Sequence, residues 1–113
     1  MSEGIKIRAI VKRPDEEFGH VTNISDTLKN LQNTVDGPIE VIPIPGTSDV
    51  ILVNENGKLI GLPLNMYMPD DFLVGTIAVV GTAGEEFADC DLQFRDWKKM
   101  VQDWEAQFAR IYF

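Results

Sequence analysis

The sequence predicts an α+β fold: a mainly antiparallel sheet of about four to six strands, one short helix and one long C-terminal helix. Three observations predict it. Apolar and mostly basic residues alternate with a period of two across Ile5–Lys12. Phe94, Trp97, Val101, Trp104, Phe108 and Ile111 recur at steps of three and four. Between these two signals, short apolar runs are separated by Gly, Pro and Asn turns, without the regular strand–helix alternation that a parallel sheet needs.

The elements follow in order. Ile5 to Lys12 reads as a strand with one apolar face and one face carrying Lys6, Arg8 and Lys12. Pro14 to Gly19 is polar and reads as a loop, and His20 to Ile24 as a short strand paired back on the first. A helix over about 25–35 is predicted, with Ser25 as N-cap, Asp26 in the first turn, Leu28, Leu31 and Val35 on one stripe, and Gly37-Pro38 as the stop. Ile39 to Ile44 and Val50 to Val53 read as strands. Asn54-Glu55-Asn56-Gly57-Lys58 carries a hairpin signal, because Asn-Gly tolerates two positive φ angles, and Leu59-Ile60 would begin the return strand. Residues 64–71 read as a loop with large apolar side chains. Phe72 to Val80 is apolar enough for one central strand covered on both faces, with Gly75 as a bulge or close approach. Gly81 to Gly84 reads as a turn, and Asp91 as the cap of an amphipathic helix over about 91–109. The predicted core is Ile7, Leu28, Leu31, Val41, Leu52, Ile77, Val79, Trp97, Val101 and Trp104.

A chain of 113 residues with 44% apolar residues fits one domain, residues 1–113, and excludes a disordered chain. The net charge is −8, which disfavours direct binding of DNA, RNA or anionic lipid. The charge is uneven: residues 1–13 carry +3, whereas residues 36–91 hold ten carboxylates against Lys58 alone. Cys90 is the only cysteine, so no internal disulfide is expected and a cytoplasmic setting is. No secretory signal is read at the start, and Phe72–Val80 is about half the length of a membrane helix.

Catalytic chemistry finds no pattern. His20 is the only histidine, and neither it nor Cys90 sits at metal-ligand spacing, so no metal and no cofactor are expected. A Cys90/His20 nucleophile pair is conceivable only if the fold brings the two together. Asp70-Asp71 and Glu85-Glu86 lack a cation-loop spacing, and no glycine pattern makes a phosphate loop. The chain is expected not to be an enzyme. The Gly61-Leu62-Pro63 break would present Asn65 and Tyr67 from a constrained loop. An amide beside an aromatic ring suits a planar polar ligand. The candidate ligand residues are Arg8, Lys12 and Lys58 for phosphates, with Asn54, Asn65 and Tyr67 for a base.

The strings Ile39-Glu40-Val41-Ile42-Pro43, Asn54-Glu55-Asn56-Gly57-Lys58-Leu59-Ile60-Gly61-Leu62-Pro63-Leu64-Asn65 and Gly75-Thr76-Ile77-Ala78-Val79-Val80-Gly81 resemble a family of small domains of unknown function. The resemblance spans roughly residues 5–105, and the family is found in phages, conjugative elements and bacterial genomes. It implies a genomic setting and no catalytic residue. In that setting the expected role is a non-enzymatic binding protein acting in counter-defence. It would sequester a nucleotide signal or block a host defence protein. The alternative is an acidic DNA mimic or another protein inhibitor without a small-molecule site; the partner is then a protein in the host cytoplasm.

The C-terminal seam also predicts self-association through Trp104, Phe108, Ile111 and Phe113. A helix of about five turns outruns a strand of about 17–20 Å, leaving an apolar end that either its own domain or a second copy must cover. Sedimentation of the intact chain and of a chain ending at Gln107 separates the two: a dimer that becomes monomeric on truncation is expected, and two monomers at tens of micromolar would refute it.

Overall fold

The period-two alternation near the N-terminus does form a strand, β1 (Lys6–Lys12), in the computed structural model, which describes residues 4–112. β2 (His20–Ser25) pairs back on it antiparallel, with Ile10 opposite Val21. Next come helix α1 (Leu28–Val35), β3 (Ile39–Pro43), β4 (Val50–Asn54), β5 (Leu64–Met68), β6 (Asp71–Val74), β7 (Ile77–Ala83), β8 (Glu86–Ala88) and helix α2 (Phe94–Tyr112). The main sheet runs β2-β1-β7-β4-β3 with β8 added to β7, and β5-β6 form a separate pair; every pairing is antiparallel. The expected α+β class with its two helices is therefore observed.

The sheet is covered on both sides. On one face Ile7, Ala9, Val50, Leu52, Ala78 and Val80 pack with Leu31 and Val35 of α1. On the other, Ile10, Ile51, Val53, Ile77 and Val79 pack with Trp97, Val101 and Trp104 of α2 and with Met66, Met68 and Leu73 of the β5-β6 pair. β4 and β7 lie in the middle, which is why their sequences read as unbroken apolar runs. β1 has a different consequence. The face that carries Arg8 and Lys12, flanking Ile10, is turned towards the α2 layer.

Several expectations are corrected. The N-cap of α1 is Thr27, whose Oγ1 accepts the Asn30 N–H, and not Ser25. The left-handed residue that ends α1 is Asp36 (φ 63°). Gly37 serves close approach instead, since a Cβ there would meet the Asn54 amide at 2.6 Å. Leu28 is 65% exposed, because only the Leu31/Val35 pair of this two-turn helix lies on the sheet. Val41 is 45% exposed: it faces the α1 side with its partner Leu52, but on an edge strand of which only Ile39, at its start, packs against the α1-side cluster. No return strand follows Asn56-Gly57, and Leu59 and Ile60 lie in a turn segment. Neither Asn56 nor Gly57 takes a positive φ; Gly57 is needed because a Cβ would meet Val74 Cγ2 at 2.9 Å. Residues 64–71 hold a strand rather than a loop. Phe72–Val80 is two strands, split at Gly75 (φ 71°), and the glycine-rich stretch from Gly81 is partly strand, since β7 continues to Ala83. α2 spans 94–112 rather than about 91–109, and Asp91 does not cap it: the Trp97 N–H goes to the Gln93 carbonyl.

Leu31 is 1% exposed. Replacing it with Ala removes the main anchor of α1, so Leu31→Ala is expected to lower unfolding free energy by about 2–5 kcal/mol in denaturant titration. A loss under about 1 kcal/mol would show that α1 is not held by this side chain.

Candidate functional site

Lys12, the last residue of β1, is only 2% exposed although it carries a charge. Burial of an ammonium is tolerated only with polar partners, and Asn65 at the start of β5 supplies them. Lys12 Nζ donates to Asn65 Oδ1 (2.8 Å) and to the Asn65 carbonyl (3.1 Å). Asn65 Nδ2 in turn donates to the Lys12 carbonyl (2.8 Å) and the Gly75 carbonyl (2.7 Å). The Gly-Leu-Pro break makes this exchange possible. Gly75 N–H reaches the Pro63 carbonyl at 2.8 Å, and a Cβ on Gly75 would meet Leu62 Cδ1 at 2.7 Å.

Above Lys12 opens a cleft of about 250 Å³ whose apolar wall includes Met66, Tyr67 and Val101 and whose rim carries Glu16, Glu17 and Glu105. Burial pushes the Lys12 ammonium below its usual range, while Glu16, Glu105 and Asp15 pull it back. The Arg13 N–H, donated at 2.9 Å, holds the Glu16 carboxyl below the ordinary carboxylate range, and His20 Nδ1 at 3.0 Å acts in the same direction. The cleft thus has one buried cation at its floor and three carboxylates at its mouth. Such a mouth accepts a cationic or hydrogen-bond-donating group and repels a phosphate. The Tyr67 ring is already stacked on Phe108 of α2, with centroids 3.8 Å apart and planes 15° from parallel.

Of the six candidate ligand residues, the fold brings Lys12, Asn65 and Tyr67 into this cleft and leaves three outside it. Arg8 points to the segment before α2, where Nη1 donates to the Cys90 carbonyl (3.0 Å), Cys90 Sγ (2.7 Å) and the Leu92 carbonyl (3.0 Å). Asn54 is buried and holds the end of α1: Nδ2 donates to the Val35 and Asp36 carbonyls at 3.2 and 3.1 Å. Lys58 pairs with Asp71 at 2.6 Å and lies 4.4 Å above the Phe72 ring, beside a second, smaller groove of about 70 Å³ that also holds Glu40 and Glu55. Of the residues expected at an interface, Trp104 is buried edge-on to Trp97, Phe108 is half-buried under Tyr67, and Ile111 is exposed. Phe113 lies outside the described residues.

His20 and Cys90 are held by different partners: His20 by Glu16 at the exposed start of β2, and Cys90, buried, by Arg8. Burial pushes the Cys90 thiol up, and Arg8 only partly offsets it. Among the described residues no group of three or more His, Cys, Asp or Glu is placed to hold a metal ion. No helix among them is long and apolar enough to cross a membrane. Sequence reasoning missed Glu16, Glu17 and Glu105 at the cleft rim. They come from the β1–β2 loop and from the polar side of α2, elements whose proximity no spacing reveals.

The sequence profile of a family described as a domain of unknown function, DUF3846, matches residues 7–102. No curated protein and no solved structure matches the chain.

Asn65→Ala removes three side-chain hydrogen bonds and leaves the Lys12 ammonium with one acceptor. It is expected to cost about 2–4 kcal/mol at neutral pH. Because burial lowers the Lys12 pKa in the fold, the unfolded chain binds more protons just below the ordinary value of 10.5, and stability gains from this group as pH rises through that window. The neutral amine needs Asn65 less, so the gap between wild type and Asn65→Ala should narrow on raising the pH, in denaturant titrations at neutral and alkaline pH. An unchanged gap would mean that Asn65 serves the backbone alone.

Proposed function

We propose, for a chain that belongs to the DUF3846 family, a non-enzymatic role: it binds and blocks a protein with a basic surface, through its own acidic surface. The observation that supports this reading is the internal use of the two β1 cations, Arg8 and Lys12. Arg8 and Lys12 are turned into the α2 layer and spent on Cys90, Leu92 and Asn65 carbonyls, while Lys58 and Asp71 neutralise each other at the surface. The side chains around the two grooves that enter none of the ion pairs among the described residues are glutamates: Glu17 and Glu105 on one, Glu40 and Glu55 on the other. A field of that sign steers towards a basic partner and away from nucleic acid. In the phage or mobile-element setting that the resemblance implies, the blocked protein is a host defence protein. A DNA-binding defence protein is the natural target, because carboxylates then stand in for DNA phosphates.

A nucleotide-sequestering role has one observation in its favour, the grouping of Lys12, Asn65 and Tyr67 in one cleft. Its phosphates would meet three glutamates there, and Tyr67 is occupied by Phe108. Two measurements test the proposal. Calorimetry with cyclic and linear nucleotides is expected to give no heat. The immobilised chain in host lysate is expected to retain a basic protein that elutes with rising salt and rebinds once purified. Heat from a nucleotide, or a partner indifferent to salt, would overturn it.

A further inference from the structure

The segment from Asn54 to Asn65 is fixed almost residue by residue, and the two side chains left over point to its use. The Asn54 carbonyl accepts the Gly57 N–H (3.1 Å) and Asn54 Oδ1 accepts the Asn56 N–H (2.8 Å). Ile60 N–H donates to the Asn56 carbonyl and Leu62 N–H to the Gly57 carbonyl, both at 3.0 Å. Leu62 is the anchor. Its Cδ1 lies where a Cβ on Gly75 or Gly57 would be, at 2.7 and 3.3 Å from those positions. Gly61 (φ 75°) makes the turn in open space, with nothing within 4 Å of its missing Cβ. Lys58 is tied down by Asp71 and Phe72. The result is a hydrogen-bonded knuckle that carries Leu59 and Ile60 on its outside, 87% and 61% exposed. Leu59 is the most exposed large apolar side chain among the described residues. Exposing two such side chains on an ordered loop gives folding nothing. It does remove, in advance, the ordering cost that a binding loop otherwise carries.

The surroundings say what fits. Glu55 is in the knuckle, and Glu40 and Asp71 line the groove at its base. Glu40 and Glu55 enter none of the ion pairs among the described residues. We infer that Leu59 and Ile60 form a docking knob that packs on an apolar face framed by Lys or Arg on a partner protein. This rests on the binding role proposed above and names its contact surface. A second copy is the poorer occupant, since a two-fold contact through this patch would set Glu40 and Glu55 against their own equivalents. Anionic lipid is repelled by the same carboxylates.

The test uses the whole chain and a defined surrogate, a 14-residue amphipathic peptide of leucine and lysine. Amide chemical-shift mapping should show the largest changes at Leu59, Ile60 and Glu55. Leu59→Ser combined with Ile60→Ser should weaken peptide binding about tenfold or more while leaving the unfolding midpoint unchanged, because neither side chain is buried. Glu55→Lys should weaken it too and flatten its salt dependence. If the shifts centre on Glu16, Glu17 and Glu105, or the double variant binds as the wild type does, the knob fails while the acidic binding role stands. Absence of any peptide binding sinks both. Knob-dependent dimerisation in sedimentation, or knob-dependent binding to zwitterionic vesicles, would replace the protein partner with a second copy or a lipid surface and overturn the assignment.

Discussion

The α2 layer depends on one buried carboxylate. Asp49, 1% exposed, lies in the turn before β4. Its own N–H goes to Thr47 Oγ1 (3.1 Å) and its carbonyl takes the Ile44 N–H (3.1 Å), so the turn holds it in place. Both of its oxygens accept the Asp91 N–H at 3.0 Å, and Oδ2 also takes the Leu92 N–H at 2.9 Å. Charge-assisted bonds of this kind are among the stronger ones a protein makes. β1 grips the same segment from the other side. Cys90 N–H reaches the Arg8 carbonyl (2.9 Å), Arg8 N–H reaches Asp89 Oδ1 (2.7 Å), and the Arg8 guanidinium covers the Cys90 and Leu92 carbonyls. The strap also needs Gly81: a Cβ there would lie 2.1 Å from the Asp89 carbonyl oxygen. Only when residues 89–92 are fastened this way does α2 start where Trp97 can bury fully and donate Nε1 to the Phe18 carbonyl at 2.8 Å.

Periodicity made the large pieces legible. β1, α2, the antiparallel class and most of the core are readable because burial repeats at two or at three-and-four along the chain. What was not legible depended on contacts far apart in sequence. Arg8 and Lys12 alternate with apolar residues, a pattern shared by strands whose charged side meets water and by strands whose charges find buried acceptors. The acceptors sit 53 residues away for Lys12 and 82 or more for Arg8, so alternation alone cannot separate the two cases. Asn56-Gly57 reads as a hairpin because its usual reason for glycine is a positive φ. Here the reason is Val74, a steric neighbour on another strand. The β5-β6 pair was hidden because Pro63, Pro69 and Gly75 break up the alternation that would have marked it.

The same contacts explain why the candidate site residues scatter. Asn54 and Asn65 share a trade: each ends a stretch of backbone by satisfying carbonyls that no ladder reaches, Asn54 those at the end of α1 and Asn65 those of Lys12 and Gly75. An amide beside an aromatic ring is a recognition pattern only when the amide is free to be donated. The Leu59-Ile60 pair and glutamates such as Glu40 and Glu55, which enter none of the ion pairs among the described residues, have no such internal work.

The strap has a consequence for the making of the protein. Asp49 leaves the ribosome 43 residues before Leu92, the farther of its two main-chain donors. At about 5–20 residues per second that is a wait of roughly 2–9 s. Over that interval its charge stays in water, and β4 beside it, Val50-Ile51-Leu52-Val53, lacks the helix that finally covers it throughout and lacks β7 until residues 77–83 have been made. An apolar, uncharged strand without its neighbours is the kind of segment that pairs with copies of itself. The proline-flanked β3, already synthesised and able to occupy one edge of β4, is the protection available during that time.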